Sequence, residues 1–389
     1  MKKIIASTLG LMMVGGVAAS AAQAFESQFG GYWRTRAFYQ DNFTPDNDYF
    51  RIDNRTRLYY TAKFNDDFKF VNKFEFNSNW GDDNGGDIGA DGSTWKVKNS
   101  YIDVNLGNTR TKLGIQGTSI ARGYIFADDF SGIMTTMNFG ATAVTPFWMA
   151  VDSEDGGGKD FDRNMFGATV GVKISDAVSL TPYFVYDYAN SGSEVTVDVD
   201  GAETSAVVGD IENWYLGTDF DMKMDAASLW GSLIYNGSSI QDQDNDEWLG
   251  ALGVDAGIAH GQAFYASENF VSAPGASYYW SEILGYGVFD NARPVGAPGD
   301  KISNVWALNA GVTLKPMDKV KIDADVWYAM LTEDNALGED ELGLELDGKV
   351  TYALMDNLNA EFVLAYLAAG DAVGDDDIWE TGVRVSLKF

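Results

Sequence analysis

The chain closes on Thr381-Gly382-Val383-Arg384-Val385-Ser386-Leu387-Lys388-Phe389. Val383, Val385, Leu387 and Phe389 share one parity; Gly382, Arg384, Ser386 and Lys388 share the other. Strand side chains alternate between faces, so this segment offers one face to hydrocarbon and one to water. One-sided strands also occur in soluble antiparallel sheets, and the other end of the chain decides between the two. Lys2 and Lys3 precede an apolar stretch, Ile4 to Val17, that is broken by Gly10, Gly15 and Gly16, and Ala22-Gln23-Ala24 has the A-x-A form of a cleavage site. That layout predicts a secretion signal over 1–24, not a membrane anchor, and a mature chain over 25–389. An exported chain ending on an amphipathic strand predicts an all-β, transmembrane, antiparallel up-and-down β-barrel. Phe389 is then the residue presented to the barrel-assembly machinery.

Beyond residue 24 no stretch approaches the roughly 18–20 consecutive apolar residues of a membrane helix. Barrel strands need only about 9–11 alternating residues, so a mean hydropathy of −0.17 is compatible with a membrane span. The formal charge is −30, and −32 without the two lysines of the signal. So acidic a chain cannot bind nucleic acid by neutralising phosphates. Its 46% hydrophobic and 14% aromatic residues argue against disorder. Without cysteine there is no disulfide, iron–sulfur cluster, zinc–thiolate site or c-type haem attachment. His260 is the only histidine. It is expected at a turn away from any pocket, so neither a transition-metal cofactor nor a Ser–His–Asp catalytic site is expected.

Alternating segments recur about every 20 residues, and short connections alternate with long ones. The short ones carry the Asn, Asp and Gly of tight hairpins, as in Gly107-Asn108, Met224-Asp225 and Met355-Asp356-Asn357. The long ones include Gly117 to Ser131, Asn190 to Gly209, Ser239 to Asp246, Asn269 to Lys301 and Gly370 to Asp377. The count is 18 strands with nine long loops and eight turns, which puts short turns on the periplasmic side and long acidic loops outside. The stretch Glu247 to Glu268 is split into two strands near His260-Gly261, and without that split the count is 16. Pro146 and Pro182 fall inside strands, where a bulge or shifted strand end must absorb them.

Parity assigns the lumen. Arg34 and Arg36 share a face in the first strand, Arg51, Arg55 and Arg57 in the second, and Lys73 and Glu75 in the third. An arginine facing mid-membrane lipid costs about 2–4 kcal/mol in a barrel, so these faces point inward. Closure brings the last strand beside the first, adding Arg384 and Lys388 to one basic arc that Asp53 and Glu75 partly neutralise. The third long loop carries Arg122, Asp128 and Asp129. Folded inward, its acids would face the basic arc and set up a transverse field. Tyr32, Phe38, Tyr59 and Tyr101 share the lumen parity.

With these features the chain resembles the general bacterial porins, and the resemblance covers the whole chain. In that family the third loop enters the pore opposite an arginine cluster and the assembly is a homotrimer. Gly30-Gly31-Tyr32-Trp33-Arg34-Thr35-Arg36, Arg55-Thr56-Arg57-Leu58-Tyr59-Tyr60 and Phe68-Lys69-Phe70-Val71-Asn72-Lys73-Phe74-Glu75-Phe76 are similar to the OmpJ-type porins of dissimilatory metal-reducing bacteria. The implied function is passive diffusion of small hydrophilic solutes and ions across the outer membrane of a Gram-negative bacterium. The alternatives are a channel specific for an anion, organic acid or sugar, and a docking barrel for surface electron-transfer proteins. The docking barrel predicts a lumen plugged by Asn269 to Lys301, with Tyr278, Tyr279 and Trp280 as its anchors. Asp242, Asp244 and Asp246 have calcium-like spacing but lack an EF-hand's glycine. Diffuse cation binding by the acidic loops, bridging them to lipopolysaccharide, is the preferred reading there. Trp33, Trp80, Trp95, Trp148, Trp230, Trp248, Trp306, Trp327 and Trp379 are expected in the belts where lipid meets water.

Overall fold

The structure is a computed structural model and describes residues 25–44, 47–82, 86–88, 94–152, 163–189, 194–199, 202–207, 211–240, 243–290 and 292–389. The expected secretion signal, 1–24, and Asp242 lie outside the described residues.

The strands are β1 (Glu26–Thr44), β2 (Asn47–Lys63), β3 (Phe68–Asn79), β4 (Thr94–Leu106), β5 (Thr109–Ile120), β6 (Phe126–Phe139), β7 (Thr142–Asp152), β8 (Arg163–Lys173), β9 (Val178–Ala189) and β10 (Glu194–Val199). They continue as β11 (Ala202–Val207), β12 (Ile211–Lys223), β13 (Ser228–Ile240), β14 (Gln243–Ala256), β15 (Ala259–Ala266), β16 (Val305–Met317), β17 (Val320–Met330), β18 (Glu341–Met355), β19 (Leu358–Ala369) and β20 (Ile378–Lys388). All but β10 and β11 belong to one antiparallel sheet of eighteen strands. Each barrel strand pairs with the next in sequence, β9 passes directly to β12, and β20 pairs back on β1, so the sheet is a closed barrel. The count is therefore eighteen and not sixteen. Closure leaves no sheet edge unpaired, the condition for strands to cross lipid. β10 and β11 form a separate hairpin inside the expected loop 190–209.

The alternation in sequence becomes inside and outside. Leu216, Leu233, Leu252, Leu308, Leu344 and Leu364 lie exposed on the outer face. Asn213, Asn236, Asn309 and Glu345 are buried on the inner one. Several strands outrun the expected boundaries. The loop placed at Ser239 to Asp246 is mostly strand, because β13 and β14 stay paired from Ser228↔Asp255 to Ile240↔Gln243. The split within Glu247 to Glu268 is correct in kind but misplaced: the turn falls at Gly257-Ile258, and His260 lies on β15.

Neither proline requires a bulge. The β6–β7 ladder is interrupted between Met134↔Phe147 and Met137↔Val144 with its register kept, and Pro146 sits in that gap. A hydrogen bond of 3.0 Å between the hydroxyls of Thr136 and Thr145 spans it. Pro182 likewise sits where β8 and β9 lose pairing between Thr169↔Tyr183 and Val172↔Leu180. A proline has no N–H for the ladder, so opening two pairs locally is enough.

Closure is finished by Phe389. Its backbone N–H donates to Gly31 O at 3.2 Å, and Gly31 N–H donates to Phe389 O at 2.7 Å. Its ring lies over Gly31, where a Cβ would come within 2.4 Å of Phe389 Cζ and 2.7 Å of Arg57 O. Gly31→Ala is expected to lower the yield of barrel refolded into lipid vesicles, read as heat-modifiable electrophoretic mobility. Gly250→Ala, where an added Cβ meets nothing within 4 Å, should refold like the parent; equal yields would contradict this account of closure.

Candidate functional site

Two segments leave the wall and enter the lumen. The first is the tip of the β5–β6 hairpin. β5 pairs with β4 only as far as Ile115, and β6 pairs with β7 only from Ser131 on, while β5 and β6 stay paired to Ile120↔Phe126. Residues 116–130 therefore stand off the wall as a hairpin. Its tip turns through residues 121–125, with Ala121 and Arg122 at positive φ of 52° and 56°. Arg122 Nη2 donates to Phe220 O at 3.1 Å and to Asp221 Oδ1 at 2.9 Å, both on β12, and its guanidinium lies 4.9 Å from the Trp230 ring centre. The tip thus reaches a wall strand far from its own neighbours. The loop expected over Gly117 to Ser131 is shorter than that, because hairpin pairing continues almost to the tip, and Asp128 and Asp129 lie on β6.

The second segment is residues 267–304, between β15 and β16, which packs along the inner wall. Val271 N–H donates to Asn236 Oδ1 at 3.0 Å and Val271 O accepts from Tyr215 Oη at 2.9 Å. Tyr278 Oη donates to Gln262 at 2.7 Å, and Trp280 packs edge-on against Phe264 and Trp327 with centroids 5.2 and 5.0 Å apart. Phe289 stacks on Phe38 at 4.8 Å, so the loop covers Phe38 although it has the lumen parity. The strongest grip is Glu345 on β18. Its carboxylate, 0% exposed, accepts from Ile283 N–H at 2.6 Å, Leu284 N–H at 3.0 Å and Ser281 Oγ at 3.0 Å. Nearby, Glu282 of the loop accepts from Val288 N–H at 2.6 Å, and burial pushes its carboxyl above the ordinary range.

The two segments meet. Ala127 N–H donates to Gly275 O at 2.8 Å, Ser277 N–H donates to Gly123 O at 3.0 Å, and Tyr124 stacks on Tyr278 at 4.1 Å. Gly123 has φ +105°, and a Cβ there would fall 2.3 Å from Ser277 O, so only glycine allows this approach. Hairpin and loop together form a strap across the lumen.

The basic residues lie on one side of it. Register places Arg34 opposite Arg55, Arg36 opposite Asp53 and Arg384, Arg57 opposite Glu75, and Lys73 opposite Tyr59. Arg36 binds Asp53 at 2.6 Å and also Asp290 of the loop. Arg57 and Arg55 share Glu75 at 2.7 and 3.5 Å, Arg51 reaches Asp53 at 3.8 Å, and Arg384 pairs with Glu361 at 2.5 Å. Six arginines thus share four carboxylates in this arc. Arg34 reaches Asp290 at 3.7 Å, and Lys73 lies over the Tyr59 ring at 5.5 Å. Arg34, Arg36, Arg51 and Arg55 line a cavity of about 140 Å³ closed by Asp290. Lys388 is exposed near the barrel end, opposite Tyr32. The acid pair of the hairpin meets a different cation: Lys98 on β4 binds Asp129 at 2.7 Å and Asp128 at 3.8 Å. The carboxylate facing the arginines is Asp290, which sequence reading did not single out.

Two further expectations need correction, those for His260 and for two of the tryptophans. His260 lines a cavity of about 500 Å³, where its Nε2 lies 2.7 Å from Asp325 Oδ1. Trp230 and Trp327 line the same cavity, whereas Trp80, Trp95, Trp248 and Trp379 are exposed as belt residues should be. Asp244 and Asp246 lie on β14, and the Tyr235 hydroxyl donates to Asp246. No group of three or more His, Cys, Asp or Glu is arranged to hold a metal ion among the described residues.

A closed barrel of eighteen antiparallel strands with two lumen segments has the architecture of a porin. No protein-family model and no curated protein matches the sequence. Among solved structures, the fold is shared with Pseudomonas aeruginosa OccK11 (OpdR), at a TM-score of 0.62, 10% identity, and coverage of 93% of this chain and 96% of that one. It is shared with P. aeruginosa OpdK bound to vanillate, at 0.62 and 12%, covering 94% and 98%, and with P. aeruginosa OpdQ, at 0.60 and 13%, covering 93% and 97%.

Removing the Glu345 acceptor strands three donors, each worth roughly 1–3 kcal/mol when buried and unsatisfied. Glu345→Ala is expected to accelerate amide hydrogen exchange at Ile283 and Leu284 by tenfold or more (about 1.4 kcal/mol) while the strand amides stay protected. Unchanged exchange at those two amides would contradict the assigned grip.

Proposed function

We propose that this chain is an outer-membrane channel through which small hydrophilic solutes diffuse passively, with a waist that favours anions, organic carboxylates among them. The observation that carries this reading is the inward arc of six arginines sharing four carboxylates beside a strap that narrows the lumen. Aqueous width together with a fixed excess of positive charge raises the local concentration of anions. The eighteen-stranded fold shared with the OccK and Opd structures supports a channel, and the vanillate held by one of them is a carboxylate. In this reading the short turns face the periplasm and the long acidic loops face outward, where divalent cations bridge them to lipopolysaccharide. The chain bears a secretion signal over 1–24, is inserted by the barrel-assembly machinery through Phe389, and assembles as a homotrimer. The stretches of its first hundred or so residues that resemble the OmpJ-type porins make it, in this reading, a porin of that type.

The test is reversal potential in a planar bilayer under a potassium chloride gradient. The wild type should give ohmic steps and an anion-selective reversal potential. The double variant Arg34→Gln, Arg55→Gln should keep the steps and move the potential toward cation selectivity. Cation selectivity in the wild type would overturn the anion reading. Silence from folded, inserted protein would overturn the channel itself and favour the docking barrel.

A further inference from the structure

The barrel has no free edge strand, but one stretch of its wall is two strands short. β4 pairs with β3 from Thr94 to Val104 and with β5 only from Ser100 on. β7 pairs with β6 only up to Ala150. Where the hairpin of residues 116–130 bends into the lumen, β5 and β6 therefore leave a notch between residues 94–99 of β4 and the end of β7. It lies at the long-loop end, beside Trp95, which is exposed on the outer face and stacked on Phe74 at 5.5 Å. Backbone groups in a bilayer must be paired or meet water. Among the described residues no strand pairs with the free side of residues 94–99.

A cavity of about 350 Å³ occupies the notch, within the roughly 300–1,000 Å³ range of small-molecule sites. Val97, Ile115 and Ala150 line it with outward parity, and Lys96, Phe130 and Val151 line it with lumen parity. A cavity confined to the lumen would touch one parity; this one touches both, so it passes through the wall. The polarity of the hairpin agrees. Along β5 the outward parity runs Leu113, Ile115, Gly117, Ser119, and along β6 it runs Ile133, Ser131, Asp129. It is apolar where the wall is closed and polar from the notch on. A charged side chain on the lipid face of a closed wall is destabilising. Here Asp129 accepts from Asn99 Nδ2 at 2.8 Å and binds Lys98 at 2.7 Å across the notch. Lys98 is the extra residue of a β-bulge between Lys73↔Asn99 and Phe74↔Val97, a device that re-aims a side chain at a sheet edge. The space behind the hairpin is built for water.

One cation there is uncommitted. Lys98 is taken by Asp129, with Asp128 at 3.8 Å. Lys96 is exposed in the cavity, and no carboxylate stands within 4.0 Å of it among the described residues. Glu75, opposite it in register, is shared by Arg57 and Arg55. An apolar rim open to lipid with one available cation behind it matches a solute that has an alkyl or aromatic body and a single anionic group.

We propose that this notch is a lateral portal for amphipathic anions, with the anionic head over Lys96 and the apolar body lying across Val97, Ile115 and Ala150 toward the bilayer. The proposal rests on the channel reading and adds to it a second route out of the lumen and a solute class. Glu75 belongs to the basic arc, so the notch adjoins the arc along the same wall.

The chain has no cysteine, so single cysteines report the notch directly. With the full barrel in phosphatidylcholine vesicles, Ala150→Cys should react with the membrane-impermeant cation trimethylammonium-ethyl methanethiosulfonate about tenfold faster than Phe166→Cys. Phe166 is exposed on the outer face of the next strand and is paired on both sides, with Trp148 and Tyr186. 1-Octanesulfonate should protect Ala150→Cys, and methanesulfonate at the same concentration should not. Adding Lys96→Gln should raise the octanesulfonate concentration for half protection about tenfold. Heat-modifiable mobility reports that each variant is folded. Equal labelling of the two cysteines, or equal protection by the two sulfonates, would overturn the portal. Slow labelling of Ala150→Cys in lipopolysaccharide vesicles without any probe would seat a resident lipid in the notch and overturn it too. Planar-bilayer steps from the same variants separate the two readings. Steps together with equal labelling overturn the portal alone; silence from folded protein overturns the channel and the portal with it.

Discussion

The carboxylate of Glu345 accepts hydrogen bonds from two consecutive backbone amides and a serine hydroxyl of the segment 267–304, and it is wholly buried in doing so. Burying a charge costs several kcal/mol, and charge-assisted hydrogen bonds return about 1.5–3 kcal/mol each. The two nearly offset, so the contact fixes where the loop sits more than how stable the barrel is. Everything else in the lumen follows from that placement. With Ser281 to Leu284 pinned to β18, Phe289 reaches Phe38, Asp290 reaches Arg34 and Arg36, and Gly275 and Ser277 are in position to receive the hairpin tip.

The electrostatics of the waist depend on the same contact. Without the loop, the six arginines of β1, β2 and β20 would have three wall carboxylates, Asp53, Glu75 and Glu361. Asp290 makes a fourth, and it lies on the one element that is held by hydrogen bonds and not by chain connectivity to the arc. Position of the loop and net field at the waist are therefore linked. The hairpin tip contributes from the opposite wall, where Arg122 is held between Asp221 and the face of Trp230.

Much of the barrel was legible because strand parity is a local property. The run of Arg51, Arg55 and Arg57 cannot face lipid, so it had to face inward, and closure put Arg384 beside Arg36. The turn at Gly257-Ile258 was misplaced by about three residues because Gly261 offered an equally good turn residue. The lumen segments were less legible because their contacts are long-range. Nothing near Glu345 in sequence announces that Ile283 and Leu284 will donate to it, and Asp290 looks like any acid in a long loop. Trp327 reads as a belt residue until Trp280 and Phe264 are seen to pack against it. Glu345, Asp347 and Lys349 share one parity in sequence, and that was the available sign that the loop had a polar wall to meet.

In the proposed channel the segment 267–304 occupies the lumen and, clasped to the β5–β6 hairpin, sets the width of the passage. The most direct measurement is the single-channel conductance of a barrel in which residues 273–301 are replaced by a short Gly/Ser linker, compared with wild type in the same salt. Ohmic steps severalfold larger are expected from the shortened protein. Steps of unchanged size from a folded, inserted barrel would place the narrowest point elsewhere and contradict it.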